Sequence, residues 1–110
     1  MRPKVIDAPE GIWLGHSVVD IGGHIELRWR RAKAGVDDTN YIRADLVKIT
    51  RRGFEQSIHP PRVWLNYGDL DRDYTHAELF RDGDVSWSED EVFDSDVMYV
   101  RADLVVERKR

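Results

Sequence analysis

The chain has 110 residues, 41% of them hydrophobic and 35% charged, with a net charge of −4 and no cysteine. That length suits one domain with a modest core, and the lack of cysteine excludes disulfides and thiolate metal sites. No apolar run approaches the roughly 20 residues of a membrane helix, and Val5-Ile6-Asp7 breaks any signal-peptide core, so the expected location is the cytoplasm.

Ile12-Trp13-Leu14 reads as the first short strand. Gly22-Gly23 signals a turn. Ile25, Leu27 and Trp29 then alternate with Glu26, Arg28 and Arg30, the period of a half-buried strand. Ile42, Ala44 and Leu46 alternate in the same way. Asp45 could instead cap a helix, but Val47, Ile49 and Thr50 argue against a long one. A strand is expected there, with a short helical turn as the fallback. His59-Pro60-Pro61 marks a junction, because prolines stop secondary structure. Beyond it Val63 to Tyr67 reads as a strand, Asp82-Gly83 as a turn, and Val100, Ala102, Leu104 and Val106 as another alternating strand.

The second half restates the first. Trp13-Leu14, His24-x-Glu26-Leu27 and Tyr41-x-Arg43-Ala44-Asp45-Leu46-Val47 recur as Trp64-Leu65, His76-x-Glu78-Leu79 and Tyr99-x-Arg101-Ala102-Asp103-Leu104-Val105, eleven identities in one order. The offsets between copies are 51, 52 and 58 residues, so the length differences fall in the spacers, with six residues added before the second Tyr motif. Connections absorb such changes and packed elements do not. The fold class expected is mainly β, with short helical turns at most: one domain over 1–110, built of an internal repeat at 10–58 and 59–110. Two copies are too few for a solenoid. The economical arrangement is a pseudo-two-fold pair whose sheets pack or join. Arg43, Arg101, Asp45 and Asp103 would then lie near the axis, able to pair across it.

Several residue patterns suggest chemistry. On a strand, His24 and Glu26 share a face, as do His76 and Glu78, and the four could converge on a metal or act as an acid–base pair. Polar residues are also the expected outward set of a half-buried strand, and that reading is favoured. Asp69-x-Asp71-x-Asp73 imitates the start of a calcium loop, but Tyr74 stands where Gly is required and Phe80 where Glu is required. His16-Ser17 is an uninformative adjacency. Arg28-Trp29-Arg30-Arg31-Ala32-Lys33 could grip a nucleic-acid backbone with Trp29 stacked on a base. The acidic balance of the chain favours a solvated strand end with Trp29 in the core, so direct nucleic-acid binding is not expected.

Charge is unevenly spread. Residues 66–104 carry three basic and twelve acidic side chains. Asp82, Asp84, Glu89, Asp90, Glu91, Asp94 and Asp96, with Trp87 among them, surround the insertion peculiar to the second copy. An asymmetric feature on a symmetric scaffold is a natural place for function. Spaced carboxylates can imitate DNA phosphates or dock on a basic groove. These eight residues form the candidate partner-binding set; neither a catalytic set nor a cofactor is assigned, and a homodimer is compatible with the pattern. A small ligand held between the modules, with Arg43 and Arg101 facing a phosphate, is the second reading. A metal-dependent enzyme built on His-x-Glu is the third.

Ile12-Trp13-Leu14 with Tyr41 to Leu46, and Val63-Trp64-Leu65 with Tyr99 to Leu104, resemble a small module of uncharacterised bacteriophage and prophage proteins, here present twice. The resemblance implies a phage or prophage setting, in which small proteins commonly bind a host machine such as a defence system. It brings no catalytic residues and no cofactor. In such proteins a helix often follows the Asp-Leu pair.

Overall fold

A computed structural model describes residues 3–18, 25–35, 38–50, 60–81 and 85–108. In chain order the elements are β1 (Gly11–Val18), β2 (Ile25–Arg30), β3 (Thr39–Arg43), β4 (Val47–Thr50), β5 (Arg62–Asn66), α1 (His76–Arg81), β6 (Ser86–Ser88), β7 (Val97–Arg101) and β8 (Val105–Arg108). The fold is mainly β. Six strands form one antiparallel sheet in the order β2-β1-β3-β7-β5-β6, and β4 pairs with β8 in a separate two-stranded sheet.

That order is a palindrome of the repeat: β1, β2 and β3 on one side answer β5, β6 and β7 on the other. The halves join between β3 and β7, where Ile42 sits opposite Val100, Tyr41 opposite Arg101 and Arg43 opposite Tyr99. Cross-strand partners share a face, so the pseudo-two-fold axis runs through the Ile42/Val100 pair. The outer strands of this sheet also meet. The Trp29 indole N–H donates to the Val85 carbonyl at 3.2 Å, and the Trp87 indole N–H donates to the Leu27 carbonyl at 3.0 Å. Trp29 and Trp87, like Leu27 and Val85, stand 58 residues apart, so the seam is itself two-fold. These bonds bring β2 against β6 and nearly close the sheet, so that each edge strand partly covers the other against pairing with other chains.

The interior holds Ile12, Leu14, Tyr41, Val63, Leu65 and Tyr99, all fully buried, with Tyr67 and Leu79 packed against them. The repeated tyrosines therefore face inward, and Ile42 and Val100 are buried outside that cluster. Inward Tyr is tolerated because each phenol finds an acceptor. Tyr99 donates to the Pro9 carbonyl at 2.6 Å and Tyr41 to the Pro60 carbonyl at 2.5 Å. Each module thus clasps the segment leading into the other module's first strand.

Three sequence expectations are corrected here. Period two does not run from Tyr41 to Leu46 or from Tyr99 to Val106. Single 3-10 turns at Ala44–Leu46 and Ala102–Leu104 interrupt the strands, and β4 and β8 follow in place of a helix. Asp45 and Asp103 cap nothing: Arg43 Nε donates to Asp45 Oδ1 and Arg101 Nε to Asp103 Oδ1, both at 2.6 Å. These pairs lie within each motif, two residues apart, and not across the axis. Finally, His76 and Glu78 lie on α1, not on a strand, so Glu78 has no structural equivalence to Glu26 of β2. The true counterpart of β2 is β6. All of the extra length in the second copy then falls between β5 and β6, where α1 sits.

Candidate partner-binding surface

Asp82 and Asp84 lie outside the described residues. Glu89, Asp90, Glu91 and Asp94 are exposed on the loop that joins β6 to β7. No Lys or Arg stands between Arg81 and Arg101 in the sequence, so this stretch of the chain carries only negative charge. The remaining two candidates belong to the scaffold. Trp87 is the seam residue of β6, and Asp96 is the tie that shapes the loop.

Asp96 Oδ2 accepts three hydrogen bonds: from Val92 N–H at 2.7 Å, Phe93 N–H at 2.9 Å and Asn66 Nδ2 at 2.8 Å. Its own N–H donates to the Phe93 carbonyl at 3.0 Å. Local carboxylate-to-backbone bonds of this kind fix a turn that has no ladder partner. Ser95 Oγ, donating to the Gly68 carbonyl at 2.6 Å, ties the same loop to the segment after β5.

The first module contains the same device, which the motif comparison missed. Asp38, 58 residues before Asp96, accepts from Ala34 N–H at 2.7 Å and Gly35 N–H at 3.1 Å, and its N–H returns to the Gly35 carbonyl at 3.2 Å. The side-chain donor differs. Arg30 Nη1 lies 3.5 Å from the Asp38 carboxylate, whereas Ser88, at the equivalent position of β6, is too short for that role. Asn66 of β5 replaces it. The residue matching Asn66 is Gly15, where an added Cβ would stand 2.1 Å from Asp38 Oδ1 and 2.8 Å from Arg30 Nη1. Gly15 with Arg30, and Asn66 with Ser88, are thus two solutions to one requirement. The signal was present in the sequence: Asp precedes both Tyr motifs by three residues. The Ala34 N–H bond, then that of Gly35 and the charge of Arg30, hold the Asp38 carboxyl below its usual range against the opposing effect of burial.

α1 brings His76 into the core beside the surface. It is 3% exposed, with Nδ1 hydrogen-bonded to the Tyr67 hydroxyl at 2.8 Å. Trp29 and Tyr67 meet its ring edge-on, Phe80 stacks on it, and its backbone N–H donates to Asp7 Oδ1 at 2.6 Å. Nε2 is buried with no protein partner among the described residues. Burial, then the charge of Arg31, pushes the imidazole below its ordinary value, with Asp7 opposing. The fold therefore holds neutral His76 while the unfolded chain takes up the proton first. Stability is expected to fall as the pH drops from about 6.5 through the lowered folded value, and to level off below it. Urea midpoints at pH 7.5 and 5.5 test this: His76→Gln should flatten the difference, and an unchanged difference would refute the assignment.

The other sequence candidates are dispersed. Asp71 accepts from the Tyr74 hydroxyl at 2.8 Å, and Asp73 accepts from Lys4 N–H at 3.0 Å. Glu78 pairs with Arg72 at 3.5 Å. Among the described residues no group of three His, Asp or Glu could hold a metal ion; His24 lies outside them. Trp29 is held in the seam and is not placed to stack on a base. Arg28, Arg31 and Lys33 are exposed, and Lys33 Nζ lies 5.7 Å from the centre of the Trp13 ring. A cavity of about 350 Å³ does open between the modules. It is lined by Arg43 but also by Asp45 and Asp96, and Arg43 is engaged by Asp45 and the Ala8 carbonyl, so a phosphate finds poor complementarity there. Among the described residues no helix is long and apolar enough to cross a membrane. No protein-family model matches this chain, and neither the curated proteins nor the solved structures contain a match to it.

Proposed function

We propose that this chain is a non-enzymatic interaction protein that binds a host factor with a basic surface through the β6–β7 loop. The observation that carries this reading is an exposed loop bearing Glu89, Asp90, Glu91 and Asp94, in a stretch of sequence with no Lys or Arg from residue 82 to residue 100, and held in shape by Asp96. A preshaped acidic loop spends little ordering entropy on binding, and its charge steers a basic partner into encounter. The resemblance of the repeated Trp-Leu and Tyr-x-Arg-Ala-Asp-Leu motifs to phage and prophage modules supports a phage setting. The host factor would then be a nucleic-acid-handling or defence protein, whose basic groove suits such a ligand.

The test is affinity capture from host extract. Bound protein should elute as salt rises from about 0.05 to about 0.5 M, since exposed charges are screened over that range. The triple variant Asp90→Asn, Glu91→Gln, Asp94→Asn should lose capture. Asp96 is left intact in this variant, because replacing it would unmake the loop as well as remove a charge. Salt-independent capture, or a triple variant that binds as the parent does, would sink the reading.

A further inference from the structure

Beside the acidic loop, two cavities of about 360 and 460 Å³ meet along Gly68, Asp69 and Leu70. Each falls within the roughly 300–1,000 Å³ of pockets that hold ligands. Their apolar lining includes Leu70, Val92 and Phe93, and the charged side chains that line them are Asp69, Asp71 and Asp94. Among the described residues no Lys or Arg lines either one. Among the described residues two basic ones adjoin the lining in sequence: Lys4, which follows Pro3, and Arg72, which is turned onto the Tyr74 ring at 3.9 Å and engaged by Glu78 and the Asp73 carbonyl. Val92 is 60% and Phe93 39% exposed, although Asp96 and Ser95 hold the loop that carries them. Adjacent exposed apolar side chains that line a groove can form a binding face.

We propose that this groove receives a basic peptide segment of the partner, one that carries a bulky aliphatic side chain among Lys or Arg residues. The inference rests on the acidic-loop reading above and deepens it: the loop steers, and the groove grips. A metal ion is a poor occupant, because the carboxylates are dispersed and Asp71 is already bonded to Tyr74. An uncharged apolar segment would desolvate the acidic lining without bringing a counter-charge, and an acidic one would be repelled. A basic segment with an apolar residue satisfies both parts of the lining.

The full chain is titrated by fluorescence anisotropy with two labelled hexapeptides of equal charge, Lys-Leu-Lys-Lys-Leu-Lys and Lys-Ser-Lys-Lys-Ser-Lys, at low salt. The leucine peptide should bind at least about tenfold more tightly, the effect expected of burying one aliphatic side chain. The Val92→Ser, Phe93→Ser double variant should erase that difference while keeping the circular-dichroism spectrum of the folded parent. Equal affinity of the two peptides, or a double variant that keeps the preference, overturns the groove. The acidic-loop reading survives that result if both peptides weaken in the Asp90→Asn, Glu91→Gln, Asp94→Asn variant. Binding of neither peptide overturns both.

Discussion

Trp87→Ala is expected to lower stability by about 3–5 kcal/mol, the range for removing a large aromatic from a packed site. The side chain does two things at once: it covers the core from β6, and its indole closes the seam onto the Leu27 carbonyl. The two parts separate with Trp87→Phe, which keeps an aromatic ring and removes the donor. That change should cost about 1 kcal/mol, the net worth of one hydrogen bond. Trp29→Phe should cost a similar amount through the Val85 carbonyl. The two phenylalanine changes report on one closure, so the double variant should depart from additivity, as residues sharing a structural unit do. Urea denaturation followed by tryptophan fluorescence measures all four. A Trp87→Ala variant within about 1 kcal/mol of the parent would mean that the seam contributes nothing to closure.

Asp96→Ala is expected to cost about 2–4 kcal/mol, from three bonds to one carboxylate oxygen that are worth about 1.5–3 kcal/mol each when made to a charged group and are partly replaced by water once the loop opens. Two of the donors are backbone N–H groups of the loop itself, Val92 and Phe93. The loss should therefore appear as local opening before global unfolding, seen as faster hydrogen exchange at Val92 and Phe93. The same variant should lose partner binding, although Glu89, Asp90, Glu91 and Asp94 all remain. Asp38→Ala should open the matching turn of the first module and leave binding intact. The two variants together distinguish a structural carboxylate from a contact carboxylate. Normal exchange at Val92 and Phe93 in Asp96→Ala would refute the tie.

The acid sensitivity of the fold has two separate origins. His76 acts in the window just below about pH 6.5, because its folded value is lowered and the unfolded chain gains the proton first. Asp38 acts at lower pH. Its carboxyl is held below the usual range, so the stability it adds is complete above the unfolded carboxylate value and is lost as the pH falls through the folded one.

Much of the architecture was legible before folding was considered. The repeat, the strand character of Ile12 to Leu14, Ile25 to Arg30 and Val63 to Asn66, and the mainly β class all follow from local alternation and from identities within short windows. The Tyr motifs were legible as elements but not as to which way they face. Tyr41 and Tyr99 point inward because Pro60 and Pro9 supply acceptors, and those acceptors lie 19 and 90 residues away. Identity alone misled at His-x-Glu. Glu26-Leu27 folds as strand in one copy and Glu78-Leu79 lies on α1 in the other, since packing against Trp29, Tyr67 and the core decides short segments over propensity.

The candidate site divides along the same line. Composition and charge pointed to the acidic stretch, because an excess of carboxylates needs no contacts to be seen. Which of the candidate residues are exposed and which tie the fold was settled by tertiary structure: Asn66 reaches Asp96 across 30 residues, and Trp87 reaches Leu27 across 60. The sequence by itself determined two homologous strand modules and a charge imbalance between them, both properties of short-range pattern. Only the tertiary structure decided the β3–β7 junction, the tryptophan seam and the division of the described acidic residues into structural ties and exposed groups. Each of these depends on bonds between groups far apart in the chain, and no local pattern encodes such a partner.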